Sequence, residues 1–224
     1  MSRTYAIPDI HGRLDLLELA IETIASHATG QSGTVVTLGD YIDRGVSSRG
    51  VVERLMHWQL DGFNIINLKG NHEAMMLAVC NAQAELAWWI KNGGGETLES
   101  YGEPRDAPNL RNLPSRHLNW MSCLQMVHVD RHRVYVHAAV DPEVPLHLQN
   151  EEALLWRLYP KGSDLGHGPR YVVHGHDANE RGLFVGKRRA NLDTLAWKTG
   201  RLSIGVFGDR PGGPSEILEV TVSE

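Results

Sequence analysis

The sequence predicts one mixed α/β domain that spans residues 1–224. In the first third of the chain, short apolar runs alternate with stretches of helical periodicity, which is typical of parallel β-α-β units. In the last hundred residues, short β-branched runs are separated by Gly, Pro and Asn, which is typical of antiparallel sheet. The chain has 224 residues, of which 42% are hydrophobic and 22% charged, so it can bury one sizeable core.

Hydrophobic periodicity places the elements of the first third. Residues 5–7 form a short apolar strand, and apolar residues at helical spacing predict a helix over residues 14–27. The apolar positions of that helix are Leu16, Leu17, Ala20, Ile21 and Ile24. A strand at residues 34–38, a helix around residues 51–56 and a strand at residues 63–68 complete a β-α-β-α-β run.

The middle of the chain is predicted to be helical. One helix covers residues 73–91 and ends at the glycines of residues 93–95, and a second covers residues 116–125. The Pro-containing segment 103–114 between them is predicted to be a surface loop. The remaining predicted strands lie at residues 126–129, 134–137, 171–174, 182–185, 191–193, 202–206 and 217–222, and the first two form a hairpin.

The composition excludes several classes of protein. With 22 Lys and Arg against 27 Asp and Glu, the net charge is −5, so binding to nucleic acid by phosphate neutralisation is not expected. The sequence has neither an apolar run of about 18 residues nor an apolar segment of signal-peptide type at its start. Two cysteines are too few for a disulfide framework. We therefore expect a cytoplasmic monomer that binds neither membrane nor nucleic acid.

Three short polar segments each follow a predicted strand. They are Asp9-Ile10-His11-Gly12, Gly39-Asp40-Tyr41-Ile42-Asp43-Arg44-Gly45 and Gly70-Asn71-His72-Glu73. The separation from Asp9 to Asp40 and from Asp40 to Asn71 is 31 residues in both cases, about one β-α-β unit. Because the carboxyl ends of parallel strands meet at one edge of a sheet, where ligands bind, these segments are expected to converge.

The residue types in these segments predict a dinuclear metal site. Asp9 and His11 are two residues apart at a strand end, and Asp40 and Asn71 add further oxygen donors. Two later segments that follow strands add histidines, namely Val136-His137-Ala138 and His174-Gly175-His176-Asp177. One ion would not need six such groups, so two ions are expected with Asp40 shared between them. Mixed oxygen and imidazole donors suit Mn, Fe or Zn, and two such ions suit displacement at phosphorus.

These motifs resemble those of the phosphoprotein phosphatase family of metallophosphoesterases, especially its compact bacterial and phage (lambda-type) members. The family pattern is Gly-Asp-x-His-Gly, Gly-Asp-x-x-Asp-Arg-Gly and Gly-Asn-His-Glu, followed by two later histidines. The second and third blocks match in full, and the first differs only in that Pro8 replaces its leading Gly. The resemblance implies a calcineurin-like fold, an α/β/β/α sandwich in which two central mixed β-sheets are flanked by helices.

The resemblance also implies a ligand set for two divalent ions, with Mn²⁺ expected first and Fe or Zn as alternatives. Asp9, His11 and Asp40 would hold the first ion. The ligands of the second ion would be Asp40, Asn71, His137 and His176. His174 is an alternative to His176, but His176 follows the strand at a Gly-His-Asp turn and fits the family order, so His174 is assigned a supporting role.

Catalytic roles follow from the same resemblance. His72 would be the general acid that protonates the leaving oxygen, and Asp43 would hydrogen-bond His72 and orient it. Arg44 and Arg157 would bind the phosphate oxygens together with Asn71. Water activated by the two metals would attack phosphorus directly, without a phosphoenzyme.

The sequence departs from the family pattern at several positions. Besides Pro8, these are Ala138-Ala139 after His137, Asp177 after His176, and Leu195 where many relatives have Gly. Pro8 stiffens the turn before Asp9, and Asp177 adds negative charge near the site. The tryptophans at 88 and 89 are interpreted as helix core together with Met75 and Met76.

The first functional hypothesis is a protein serine/threonine phosphatase, with phosphotyrosine as a further substrate class. The alternative is a hydrolase of dinucleoside polyphosphates, similar to bis(5′-nucleosyl)-tetraphosphatase, which uses the same metals. Glu73 and the intact Asp43-Arg44-Gly45 favour the first. A metal-stabilised binding module would lack a ligand or the general acid, and none is missing. A nuclease or phosphodiesterase is disfavoured by the pairing of Asp43 with His72. The partner is therefore expected to be a phosphorylated protein or peptide, recognised through short loops such as 92–114.

Overall fold

Two five-stranded sheets form the centre of the computed structural model, which describes residues 2–178 and 183–222. The strands are β1 (Ser2–Ile7), β2 (Ser32–Thr37), β3 (Phe63–Asn67), β4 (Val127–Val129), β5 (Arg133–Val136), β6 (Tyr171–His174), β7 (Phe184–Val185), β8 (Arg189–Asn191), β9 (Arg201–Phe207) and β10 (Glu216–Thr221). The helices are α1 (Leu14–His27), α2 (Ser48–His57), α3 (Asn71–Cys80), α4 (Leu86–Trp89), α5 (Gly95–Ser100), α6 (Ser115–Cys123), α7 (Glu151–Leu155) and α8 (Ala196–Thr199).

The first sheet has the strand order β10-β9-β1-β2-β3. The strands β1, β2 and β3 are parallel, and Thr37 at the end of β2 lies between Ile7 and Asn67. The predicted β-α-β-α-β run is therefore confirmed, and its three strands end at one edge of the sheet. Strands β9 and β10 extend this sheet in antiparallel fashion.

The second sheet has the order β4-β5-β6-β8-β7 and is mixed. The predicted hairpin of β4 and β5 is confirmed, but β5, β6 and β8 are parallel to one another. The prediction of antiparallel sheet throughout the last hundred residues is thus wrong for its centre. The connection from β5 to β6 is long and contains α7, and a connection of that length permits parallel pairing. Gly182, in the strand predicted at 182–185, lies outside the described residues.

The cores lie in layers that follow the alternation of side chains along each strand. Tyr5 and Ile7 of β1 pack with α1, α2, α3 and α6, whereas Ala6 faces the second sheet. A third cluster joins Leu154 and Leu155 of α7 to the far face of the second sheet. The order is therefore helix, sheet, sheet, helix, and this confirms the α/β/β/α fold with two mixed sheets flanked by helices.

The single helix predicted over residues 73–91 is wrong. Helix α3 ends at Cys80, Ala82 has a φ of 56°, and α4 is followed by a π-helical turn, Ile90–Gly94. Gly93 in that turn has a φ of 104°, which breaks the helical path before α5. The chain therefore turns back toward the first sheet, and its backbone approaches the polar edge described next.

Candidate metal centre

The polar segments after β1, β2 and β3 are tied together by their backbones. The amide groups of Ile10 and His11 both donate to the Asp40 carbonyl oxygen, at 3.0 and 2.9 Å. The Glu73 carboxylate accepts from the amides of Asp40 and Gly70, each at 2.9 Å. One acidic side chain at the start of α3 thus fixes the loop that carries Asp40.

The close approach of these loops depends on glycine. A Cβ atom on Gly12 would overlap the Gly45 carbonyl group, and a Cβ on Gly45 would overlap the carbonyl oxygen of His11. Gly12 also has a φ of 64°, a conformation that glycine adopts without strain. The two loops therefore fit against each other only with glycine at both positions.

Two groups of potential ligand atoms meet at Asp40. The first group contains His11, Asp40 and His72, and the second contains Asp40, His137 and His176, with the atoms of each group within 4.8 Å of one another. Oδ2 of Asp40 lies 3.5 Å from Nε2 of His11, whereas its Oδ1 lies 3.4 Å from Nε2 of His137. Asp40 therefore presents one oxygen to each group, as a bridging carboxylate would.

The other predicted ligands lie around the same point. Oδ1 of Asn71 is 2.8 Å from Nε2 of His137. Asp9 is buried, and its two carboxylate oxygens each accept from the amide of His176 at 3.1 Å. The structure thus brings together the six residues for which metal ligation is predicted, and it places His72 beside the first group as well.

The donor set fits divalent cations. Nδ1 of His11 and of His137 each donate to a backbone carbonyl at 2.9 Å, which directs the Nε2 lone pairs of both rings toward Asp40. His176 donates through Nε2 to the Trp156 carbonyl, which leaves its Nδ1 facing His137 at 3.2 Å. The Asn71 amide oxygen also faces acceptors only. Lone pairs directed at one another repel unless a cation lies between them, so a cation would satisfy His137, His176 and Asn71. Nε2 of His11 instead lies beside the Arg44 guanidinium.

The electrostatics lead to the same conclusion. Burial raises the pKa of Asp40 well above its ordinary value, and the neighbouring carboxylates of Asp9 and Glu73 raise it further. Burial also lowers the pKa of His11 and of His137 well below the ordinary value. The imidazoles are therefore neutral, which is the ligating form, and the buried carboxylates need a positive charge beside them.

Asp43 and His72 form a buried pair. Nδ1 of His72 lies 2.6 Å from Oδ2 of Asp43, and both residues are almost fully inaccessible to solvent. Trp89 donates its indole N–H to the Asp43 carboxylate, at 2.9 Å from Oδ2, and the Thr97 hydroxyl donates to Oδ1 at 2.6 Å. Burial raises the pKa of Asp43 to about 7 against the opposing effect of these two donors. Burial, followed by the Arg44 charge, lowers the pKa of His72 well below its ordinary value, so a proton shared by the pair favours the Asp43 carboxyl.

The two predicted phosphate-binding arginines differ in position. The guanidinium of Arg44 lies 3.0 Å from Nε2 of His11 and 3.1 Å from Nε2 of His72, so it reaches the ligand groups directly. Arg157 instead pairs with Asp141 at 2.9 Å, and 41% of its side chain is exposed. The structure therefore brings Arg44 into contact with the ligand groups, whereas the guanidinium of Arg157 contacts Asp141.

Two residues that support the site are absent from the motifs. Trp89 and Thr97, which hold Asp43, are on the segment predicted as a plain helix and its continuation. His174, assigned a supporting role, is buried and lies 2.8 Å from the Arg189 guanidinium through its Nε2. No sequence signal distinguishes Trp89 from any other core tryptophan, because its partner is 46 residues away.

The interpretation of both tryptophans as core is half wrong. Trp89 is fully buried, but Trp88 is 41% exposed. Its ring stacks on that of Trp156, with centroids 6.0 Å apart and planes inclined by 27°. The carbonyl of Trp156 contacts His176, so this exposed aromatic pair lies at the rim of the candidate metal centre.

Comparisons with known proteins agree with this architecture. The family model for calcineurin-like phosphoesterases matches residues 2–182. No curated protein sequence matches the chain. Among solved structures, a candidate diadenosine tetraphosphatase has a TM-score of 0.69 at 23% identity, covering 98% of this chain and 93% of its own.

Two phosphatases of known structure are similar in fold. A cold-active protein-tyrosine phosphatase of the psychrophile Shewanella sp. has a TM-score of 0.62 at 18% identity, with 91% of this chain and 75% of that chain covered. A protein serine/threonine phosphatase from Saccharomyces cerevisiae with similarity to human PP5 has a TM-score of 0.62 at 14% identity, with 100% and 81% covered. No helix within the described residues is long and apolar enough to cross a membrane.

Proposed function

Because the chain belongs to the calcineurin-like phosphoesterase family, and is therefore a hydrolase, we propose that it removes phosphate from phosphoserine and phosphothreonine in proteins, with phosphotyrosine as a further substrate class. The observation that carries this proposal is the buried Asp43–His72 pair beside two groups of metal-ligand atoms. A monoester with an alkoxide leaving group needs a proton donor at that oxygen, and this pair can supply one.

The residues have distinct tasks in this proposal. One divalent ion would be held by Asp9, His11 and Asp40. The second ion would be held by Asp40 together with Asn71, His137 and His176. When bound, Mn²⁺, or Fe or Zn in its place, would supply charge neutralisation at the phosphoryl oxygens and a lowered pKa of water.

Proton transfer and phosphate orientation fall to this chain's own side chains. Asp43 fixes the imidazole through Nδ1, so Nε2 of His72 faces the site and can protonate the leaving serine oxygen. The oxygen of water forms the new bond to phosphorus as the bond to the serine oxygen breaks. Arg44, which contacts Nε2 of both His11 and His72, would bind the phosphoryl oxygens. Arg157 would assist only after leaving Asp141.

Hydrolysis of dinucleoside polyphosphates is a second candidate, and one observation favours it. The exposed stack of Trp88 on Trp156 is a flat aromatic surface at the rim of the site, and nucleobases bind to such surfaces. The same metal ligands would serve this reaction. A solved structure of similar fold is described as a candidate enzyme of this class.

The test is hydrolysis by metal-stripped protein, with and without added Mn²⁺. The substrates are p-nitrophenyl phosphate, a phosphoserine peptide and diadenosine tetraphosphate. We expect Mn²⁺-dependent phosphate release from the first two and little cleavage of the third. Preferential cleavage of the third would establish the second candidate instead. Absence of all three activities in protein that binds two metals would refute both and favour a binding module. We further propose that the protein is a cytoplasmic monomer and that its partners are phosphorylated proteins or peptides.

A further inference from the structure

A cavity of about 320 Å³ adjoins the candidate metal centre on the side of Arg44. Its lining comes from the second polar segment, the π-helical turn after α4, α5 and α8. The lining residues are Arg44, Lys91, Asn92, Gly93, Glu96 and Trp197. Arg44 belongs to both the candidate metal centre and the cavity, because its guanidinium contacts His11 and His72 and its side chain lines the cavity.

The cavity is electropositive. Its one carboxylate, that of Glu96, lies 3.0 Å from Arg105, an arginine that also pairs with Glu99. Lys91 is exposed, and within residues 2–178 and 183–222 it forms no ion pair. The lining therefore carries the two positive charges of Arg44 and Lys91 against the one negative charge of Glu96, and its net charge is positive.

An unused donor lies in the same wall. The indole nitrogen of Trp197 is buried and has no hydrogen-bond partner among the described residues. A buried N–H without an acceptor costs about 1–3 kcal/mol, and an acceptor oxygen in the cavity would remove that cost after a shift of the Trp197 side chain, because the nitrogen is closed to solvent. The Arg44 guanidinium lies over the Trp197 ring, 5.6 Å from its centroid, so the two side chains pack against each other.

We propose that this cavity binds a second phosphate group of the substrate, next to the one that is hydrolysed. The inference rests on the proposed function, since the hydrolysed phosphate must lie at the metal ligands with Arg44 between the two positions. Lys91 supplies a point charge, and Trp197 and Arg44 supply N–H donors, which together suit phosphate oxygens. The second phosphate could belong to a neighbouring phosphoserine of a peptide or to the next unit of a polyphosphate chain.

The test compares kcat/KM for pairs of substrates that differ by one phosphate. Of the two peptides, one carries a single phosphoserine and the other carries two adjacent phosphoserines. Diadenosine tetraphosphate is the substrate whose second phosphate belongs to a polyphosphate chain. Lys91→Ala should lower kcat/KM about tenfold for substrates with a second phosphate and less than twofold for the singly phosphorylated peptide. Lys91→Glu should reverse the preference. The matched control is Lys187→Ala. Lys187 is exposed and lies near the amino end of β6, whereas the candidate metal centre lies at the carboxyl end of that strand.

A second readout separates failure of this inference from failure of the proposed function. Pyrophosphate and phosphate are compared as inhibitors of p-nitrophenyl phosphate hydrolysis, a reaction that does not depend on the natural substrate. Lys91→Ala and Trp197→Phe should each weaken inhibition by pyrophosphate several-fold more than inhibition by phosphate. If phosphopeptides are inert but this difference holds, the protein phosphatase proposal fails and the second-phosphate site stands. If phosphopeptides are hydrolysed and every ratio is unchanged in the Lys91 variants, the second-phosphate site is wrong.

Discussion

The two sheets contribute to the candidate metal centre in different ways. On the first sheet, Asp9, Asp40 and Asn71 follow adjacent parallel strands, and backbone hydrogen bonds fix their loops directly to one another. On the second sheet, His137 and His176 are positioned by contacts with the first, through the Leu38 carbonyl and the Asp9 carboxylate. The first half of the site is thus built locally, and the second half depends on how the sheets pack.

The largest effect is expected from Asp40→Asn, because Asp40 joins the two halves. Asparagine tolerates the φ of 53° at this position, so the fold should persist while the bridging charge is lost. We expect loss of both metals and a fall in kcat on the order of 10³-fold or more. Metal content per protein and steady-state kinetics check this, with Asp209→Asn as a control far from the ligands. Retention of two metals would show that Asp40 does not bridge.

His72→Asn should separate chemistry from metal binding in the first half of the site. It removes the proton donor beside Asp43, so kcat on a phosphoserine peptide should fall by roughly 10²–10⁴-fold while metal content changes far less. The loss should be smaller on p-nitrophenyl phosphate, whose leaving group needs little protonation. Unchanged activity on the peptide would remove the general-acid assignment, and loss of metal would make His72 a ligand.

Gly175→Ala tests the contact between the two halves. A Cβ at Gly175 would overlap the Asp9 carboxylate, which accepts from the amide of His176. We expect metal affinity to fall about 10–100-fold, as is common when a group that orients a ligand is disturbed. Gly208→Ala is the matched control, because a Cβ there would meet open space. Equal metal affinities in the two variants would show that this contact does not position the ligands.

His174 gives the smallest effect and concerns stability alone. Burial, with the nearby Arg189 charge, lowers its pKa to about 3, below the usual value of about 6.5 in unfolded chains. The unfolded state therefore binds an extra proton between those pH values, and stability falls as pH falls through that window.

His174→Gln should abolish this uptake of a proton on unfolding. The slope of the free energy of unfolding against pH should then decrease by up to about 1 kcal/mol per pH unit. Urea unfolding of metal-stripped protein from pH 6.5 to pH 4.5 measures the slope, with exposed His147 substituted in the same way as the control. Parallel slopes for the wild type and the His174 variant would contradict the assignment.

The same division between the sheets explains what sequence reasoning could reach. The mixed α/β class, the parallel run and the ligand segments of the first sheet were predictable, because each depends on residues close together in the chain. The sandwich of two sheets followed only from the resemblance of the motifs to a known family. The strand directions of the second sheet were not, since local runs of Val and Tyr do not specify the partner strand. Support for Asp43 from Trp89 and Thr97 was also missed, because a helix of Ala, Leu and Trp carries no local sign that it will break at Gly93.

Five of the seven non-glycine residues with positive φ in the described chain lie in the candidate site. They are His11, Asp40, Asp43, Arg44 and His176. Such conformations cost about 1–3 kcal/mol each in a non-glycine residue, so the folded state is less stable than the same backbone with glycine there. Selection for thermostability alone would therefore replace these side chains first, and a stabilised form of this protein must gain its stability elsewhere to remain an enzyme.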